Sequence, residues 1–187
     1  MRKQDLTDFC KRVNIHFKNI ELLDQAFYHR SVTNEKKHVH NNERLEFLGD
    51  SVLGMVTASY LYRTLENPEG DLAKIKSIVV SEKALAPVAL KFGIDKLLVL
   101  GHGEEITGGR KKPAILADCM EAIIGAYYLD SGYKNAEKYV LEFIIPATRT
   151  YSTCSALQSS RASLDGATAA SAAAGAMAMV LAFSAIS

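Results

Sequence analysis

Cysteine is scarce in these 187 residues, net charge is almost absent, and no apolar run opens the chain. Each shortage excludes something. Cys10, Cys119 and Cys154 are odd in number, far apart and without a Cys-x-x-Cys pair, which argues against a disulfide framework or a zinc-thiolate site and for a reducing compartment. A formal net charge of +1 excludes a globally basic nucleic-acid binder, but not local basic loops around an acidic site. Met1-Arg2-Lys3-Gln4-Asp5-Leu6 leads into further charged residues, so no signal peptide is expected and the body is expected to be cytoplasmic, with no membrane partner. The length suits one domain with a full core and a short appendage.

What is present is acid in unusual places. In Asn41-Asn42-Glu43-Arg44-Leu45-Glu46-Phe47-Leu48-Gly49-Asp50-Ser51, the carboxylates Glu43, Glu46 and Asp50 stand at i, i+3 and i+7 and share one helix face. Two partly buried carboxylates about 6 Å apart repel by roughly 3 kcal/mol at an effective dielectric near 20. Such a face is kept when a cation sits on it, and Arg44 is expected to offset part of the charge. A second acidic pair, Asp118 and Glu121, lies at i, i+3 among Ile115, Leu116, Met120, Ile123 and Ile124, which places its helix inside the fold. An all-oxygen donor set on two buried helices suits Mg²⁺ or Mn²⁺ rather than zinc.

Nearly every periodic segment reads as helix, and the fold class expected is all-α. Asn19 can cap a helix carrying Ile20, Leu23 and Phe27, the acidic helix runs from Glu43 to Thr64, and Asp71 can cap a helix from Leu72 to Val79. Gly49, Gly54 and Ala58 would allow close helix packing along the acidic helix. Ser81 opens a helix that Gly93 ends, with Pro87 predicting a kink or break. Residues 96–100 form a short apolar run that could be a strand, 29–42 and 101–113 read as loops, and helices follow over 114–129 and 135–144 before Pro146 closes the domain. Glu35-x-x-His38 has a di-iron spacing, but that chemistry needs the unit twice on helices, so His38 and His40 are expected to be solvent-exposed.

Asn42-Glu-Arg-Leu-Glu-Phe-Leu-Gly-Asp-Ser51 resembles the signature of the ribonuclease III family, and Ile115-Leu-Ala-Asp-Cys-Met-Glu-Ala-Ile-Ile-Gly-Ala126 its second acidic motif. Pro68-Glu-Gly-Asp-Leu72 and Gly101-His-Gly-Glu104 keep the family's order and spacing, and the resemblance extends to about Ile145. It implies a catalytic domain over 1–147 with Glu46, Asp50, Asp118 and Glu121 as ligands of Mg²⁺ (Mn²⁺ in its place), Asp50 and Glu121 being the catalytic pair. It further implies a homodimer that hydrolyses double-stranded RNA with two metal ions, leaving 5′-phosphate and 3′-hydroxyl ends, in rRNA and mRNA processing, with no small-molecule cofactor. Glu43 and Glu69 match further acidic positions, Arg110, Lys111 and Lys112 become RNA contacts, and Phe47 would enter a socket on the second subunit. On the residues alone, plain core packing is the lesser alternative for Phe47, Glu69 could equally be a solvated turn residue, and a non-catalytic RNA-binding scaffold is the alternative function.

From Tyr151 the composition shifts to Ala and Ser, with Arg161 and Asp165 the remaining charges. The segment 148–187 reads as a low-complexity or weakly helical tail, a marginal membrane-associating helix, or a piece packed on the body; it does not resemble a double-stranded-RNA-binding domain.

Overall fold

The structure, a computed structural model, describes residues 2–35 and 40–147. The expected tail and the Lys36-Lys37 and His38 positions lie outside these residues. Helices α1 (Arg2–Arg12), α2 (Ile20–Ala26), α3 (Glu43–Thr64), α4 (Glu69–Val79), α5 (Glu82–Phe92), α6 (His102–Ile106), α7 (Pro113–Ser131) and α8 (Tyr133–Tyr139) follow in chain order. A π-helical turn, Val140–Ile144, continues α8, and the backbone stays helical through Ala147, so Pro146 does not end it.

The bundle is organised around α7. Leu116, Cys119, Met120, Ala122, Ile123, Ile124 and Ala126 are fully buried, so this helix is apolar on almost every side, as a central helix must be. It packs against α3, α5, α2 and α8. Cys119 is a small core residue whose thiol donates to the Ala26 carbonyl at 3.3 Å, and burial pushes its pKa far up.

Local chemistry explains the helix ends. The Asn19 side chain accepts from the Glu21 amide, Ser81 accepts from the Ala84 amide, and Gly93 ends α5 in the left-handed region at φ 73°. Helix α4 begins two residues before the expected Asp71 cap, on Pro68. Pro87 does not break α5 into two: the helix is continuous, and the carbonyl deprived of its donor belongs to Lys83, an exposed residue that water can serve.

The expected loops hold short helical turns. Arg30–Asn34 and Gly109–Lys111 are 3₁₀, and α6 interrupts the glycine-rich segment. The apolar run after Ile94–Lys96 makes one isolated parallel bridge, Val99 with Tyr28, and founds no sheet among the described residues. That bridge fixes the start of the next segment. The Val99 carbonyl accepts from the His29 amide at 3.1 Å, and buried Asn42 donates from Nδ2 to the Ala26 carbonyl at 3.2 Å, seating the N-terminus of α3 on α2.

Candidate metal centre

Helices α3 and α7 touch backbone to backbone. A Cβ on Gly49 would run into the Glu121 carbonyl oxygen, and one on Gly125 into the Leu45 carbonyl oxygen. This crossing sets the site, because Glu46 lies one turn before Gly49 and Glu121 one turn before Gly125. Glu46, Asp118 and Glu121 each offer a carboxylate oxygen, and the three oxygens lie within 4.8 Å of one another. The other glycine expected to pack helices, Gly54, meets only the flexible end of Lys76, and Ala58 is exposed.

The electrostatics are those of a site short of positive charge. Burial raises the Glu46 pKa, with Asp118, Glu43 and Asp50 adding to it and Arg30 opposing. Burial likewise raises Asp118, helped by Glu82 at the start of α5 and opposed by Arg30. Glu121 is pushed up to about 8 by burial and by the charges of Asp50, Asp118 and Glu46. The donors are all carboxylate oxygens, half-buried, with no histidine or cysteine ligand among them, which fits a hard divalent cation.

The sequence-predicted residues divide. Asp50 is exposed and stands beside the triad, acting on Glu121 through its charge. Glu43 is exposed, accepts from Asn41 Nδ2 at 2.9 Å and pairs with Arg30 at 3.7 Å. Glu69 is the exposed first residue of α4 and has no ion pair among the described residues. The cation acting on Glu46 and Asp118 is Arg30, rather than the expected Arg44, which is exposed. Neither Arg30 nor Glu82 carried a signal at the level of sequence, since their approach depends on how α5 and the 3₁₀ turn pack.

The basic loop also divides. Arg110 donates from Nε to Glu105 at 2.7 Å and from Nη1 to the carbonyls of Asp95 and Leu98 at 2.9 and 2.7 Å, so it braces the loop. Lys112 is held by Glu104 at 2.6 Å and by the Thr107 hydroxyl at 3.1 Å. Lys111 is exposed and has no ion pair among the described residues. Phe47 is 77 % exposed, which excludes core packing, and Met55 and Tyr62 share its outer face of α3.

A pair of acidic helices crossing inside an all-α bundle is the arrangement this chain shares with a known family of domains. The ribonuclease-III-like family profile matches residues 19–148, and the chain belongs to that family. Ribonuclease 3 of Treponema denticola is 60% identical over 145 residues, covering 76% of this chain and 59% of the relative. Ribonuclease 3 of Treponema pallidum is 49% identical over 152 residues, covering 79% and 60%. The chain therefore spans about three-fifths of the length of these curated relatives. A solved nuclease domain of ribonuclease III from Campylobacter jejuni superposes with a TM-score of 0.68 at 39% identity, covering 73% of this chain and 93% of that one. That structure is described for flexibility in a region involved in dimer formation.

Proposed function

We propose that this chain is a divalent-metal-dependent endoribonuclease that cleaves double-stranded RNA as a homodimer. The observation that carries the reading is the convergence of Glu46, Asp118 and Glu121 on one point at the α3–α7 crossing. These three, with Asp50 beside them, would hold the Mg²⁺ or Mn²⁺ ions. When bound, such ions supply an activated water and screen the phosphate oxygens, leading to in-line hydrolysis with 5′-phosphate and 3′-hydroxyl ends.

The chain's own residues have defined tasks. The backbone contact at Gly49 and Gly125 holds together the two helices from which the carboxylates project. Glu121, pushed up by burial and neighbouring carboxylates, would have to give up its proton to hold a cation. Lys111 is the member of the basic loop left free to meet a phosphate, while Arg110 and Lys112 shape the loop. The exposed face of Phe47, Met55 and Tyr62 on α3 offers apolar area to a second copy. A-form RNA is read through its shape, phosphates and 2′-hydroxyls, so selection among sequences is expected to be slight.

The direct test incubates the purified chain with a long perfect RNA duplex in Mg²⁺ and in EDTA. Short products bearing 5′-phosphates in Mg²⁺ alone support the reading. An intact duplex in Mg²⁺ and Mn²⁺ overturns it.

A further inference from the structure

Arg30 is the cation whose charge reaches two members of the triad, Glu46 and Asp118, yet its bonds do not fix it there. Its side chain is 71% exposed, and its ion pair, with Glu43, spans 3.7 Å, longer than a formed N–H···O bond. The backbone beneath it is anchored instead. His29 is nearly buried, its Nδ1 lies 2.8 Å from the Ser31 hydroxyl, and that hydroxyl accepts from the Gly101 amide at 2.8 Å. A rigid base therefore carries a guanidinium with donors to spare. It borders a cleft of about 340 Å³ also walled by His29, Ser31, Thr33, Asn41, Glu43 and Glu104, in which the two carboxylates can accept only from ribose hydroxyls and Arg30 is, among the described lining residues, the one Arg or Lys that can meet a phosphate.

We propose that Arg30 is a positioning residue that exchanges partners. In the free protein it is the loose counter-ion of Glu43 and the acidic centre; in the complex it leaves Glu43 and holds a backbone phosphate of the RNA strand in this cleft. The inference rests on the function proposed above. Its physical basis is that a strand approaching four carboxylates needs a compensating cation. Arg30 would be less well held at its resting place with a divalent ion in the triad, and the guanidinium's planar fork suits phosphate.

The test uses the full chain in a Glu121→Gln background, so that duplex is bound without being cut. Arg30→Gln is expected to weaken binding of a short RNA duplex in Mg²⁺ by about tenfold, the scale of one charged hydrogen bond. The slope of log affinity against log salt should become shallower by roughly 0.7–0.9, one phosphate contact. Arg30→Lys should keep the slope while losing part of the affinity, and Glu43→Gln, which releases Arg30, should bind at least as tightly with the slope intact. With Glu121 restored and no RNA present, Arg30→Gln should bind Mn²⁺ several-fold more tightly by calorimetry, because a positive neighbour has gone. An unchanged salt slope in Arg30→Gln, with the parent binding duplex normally, overturns the proposal. If the parent itself fails to bind duplex, the proposed function fails instead.

Discussion

Glu121 carries the largest electrostatic conflict among the acids of this domain. With its folded pKa near 8 against an ordinary 4.5, the folded, metal-free chain holds a proton that the unfolded chain has released. The sign follows from linkage: between about pH 4.5 and 8 the native state binds more protons, so stability falls as pH rises, and it levels off above 8. In EDTA, the melting temperature is therefore expected to drop across that window in wild type and to change much less in Glu121→Gln. Thermal unfolding from pH 5 to 9 measures this, and parallel curves for the two proteins would contradict it. The same substitution removes a carboxylate from the proposed metal site. Cleavage by Glu121→Gln, and by Asp118→Asn, should fall by orders of magnitude in a Mg²⁺ assay; a near wild-type rate would remove these residues from the site.

At the scale of elements, the α3–α7 crossing joins stability to function. Gly49→Ala or Gly125→Ala places a methyl group against a backbone carbonyl that cannot swing aside. Overpacking of this kind costs about 1–3 kcal/mol, and the separation it forces should also spread the carboxylates and weaken Mn²⁺ binding. Gly54→Ala is the control on the same helix: its Cβ would meet Lys76 Cε at 3.6 Å, an ordinary contact, and alanine should stabilise the helix by about 0.5–1 kcal/mol. Denaturant melts of the three variants test the contrast, and equal losses at Gly49 and Gly54 would dismiss the crossing as the cause. This crossing also marks what sequence could disclose. Helix α3 was legible from Glu43 to Thr64 because its apolar residues recur at helical spacing, and the two acidic pairs were legible because carboxylates on apolar helices conflict with their surroundings. The partners of those acids were not. Arg30 and Glu82 reach the site from a 3₁₀ turn and from the start of α5, through packing that leaves no periodic trace. The bonds of Arg110 to the carbonyls of Asp95 and Leu98 were not legible either, because a cation in a glycine-rich loop looks the same in sequence whether it faces solvent or backbone.

For the whole molecule, the unresolved charge and the exposed ring lie on the same helix. Glu46 and Asp50 occupy one side of α3, while Phe47, Met55 and Tyr62 leave an apolar stripe on another. A phenylalanine 77 % exposed beside an acidic face gains nothing from water and contributes only if a second surface covers it. If a second copy does so, Phe47 fills a pocket on the partner and the two acidic centres are held at a fixed separation, one for each RNA strand. Phe47→Ala would then leave a cavity at the interface, costing about 3–5 kcal/mol by analogy with buried phenylalanines. A loss of that size raises a dimer dissociation constant by two to three orders of magnitude or more. Sedimentation of Phe47→Ala at micromolar concentration should thus show monomer where wild type sediments as dimer. Its helical content should be unchanged, since the ring makes no core contact within its own chain. Cleavage should shift from paired cuts towards single-strand nicks. A wild type that is monomeric at the same concentration, or a Phe47→Ala variant as dimeric as its parent, would show that the stripe on α3 is not what joins two copies.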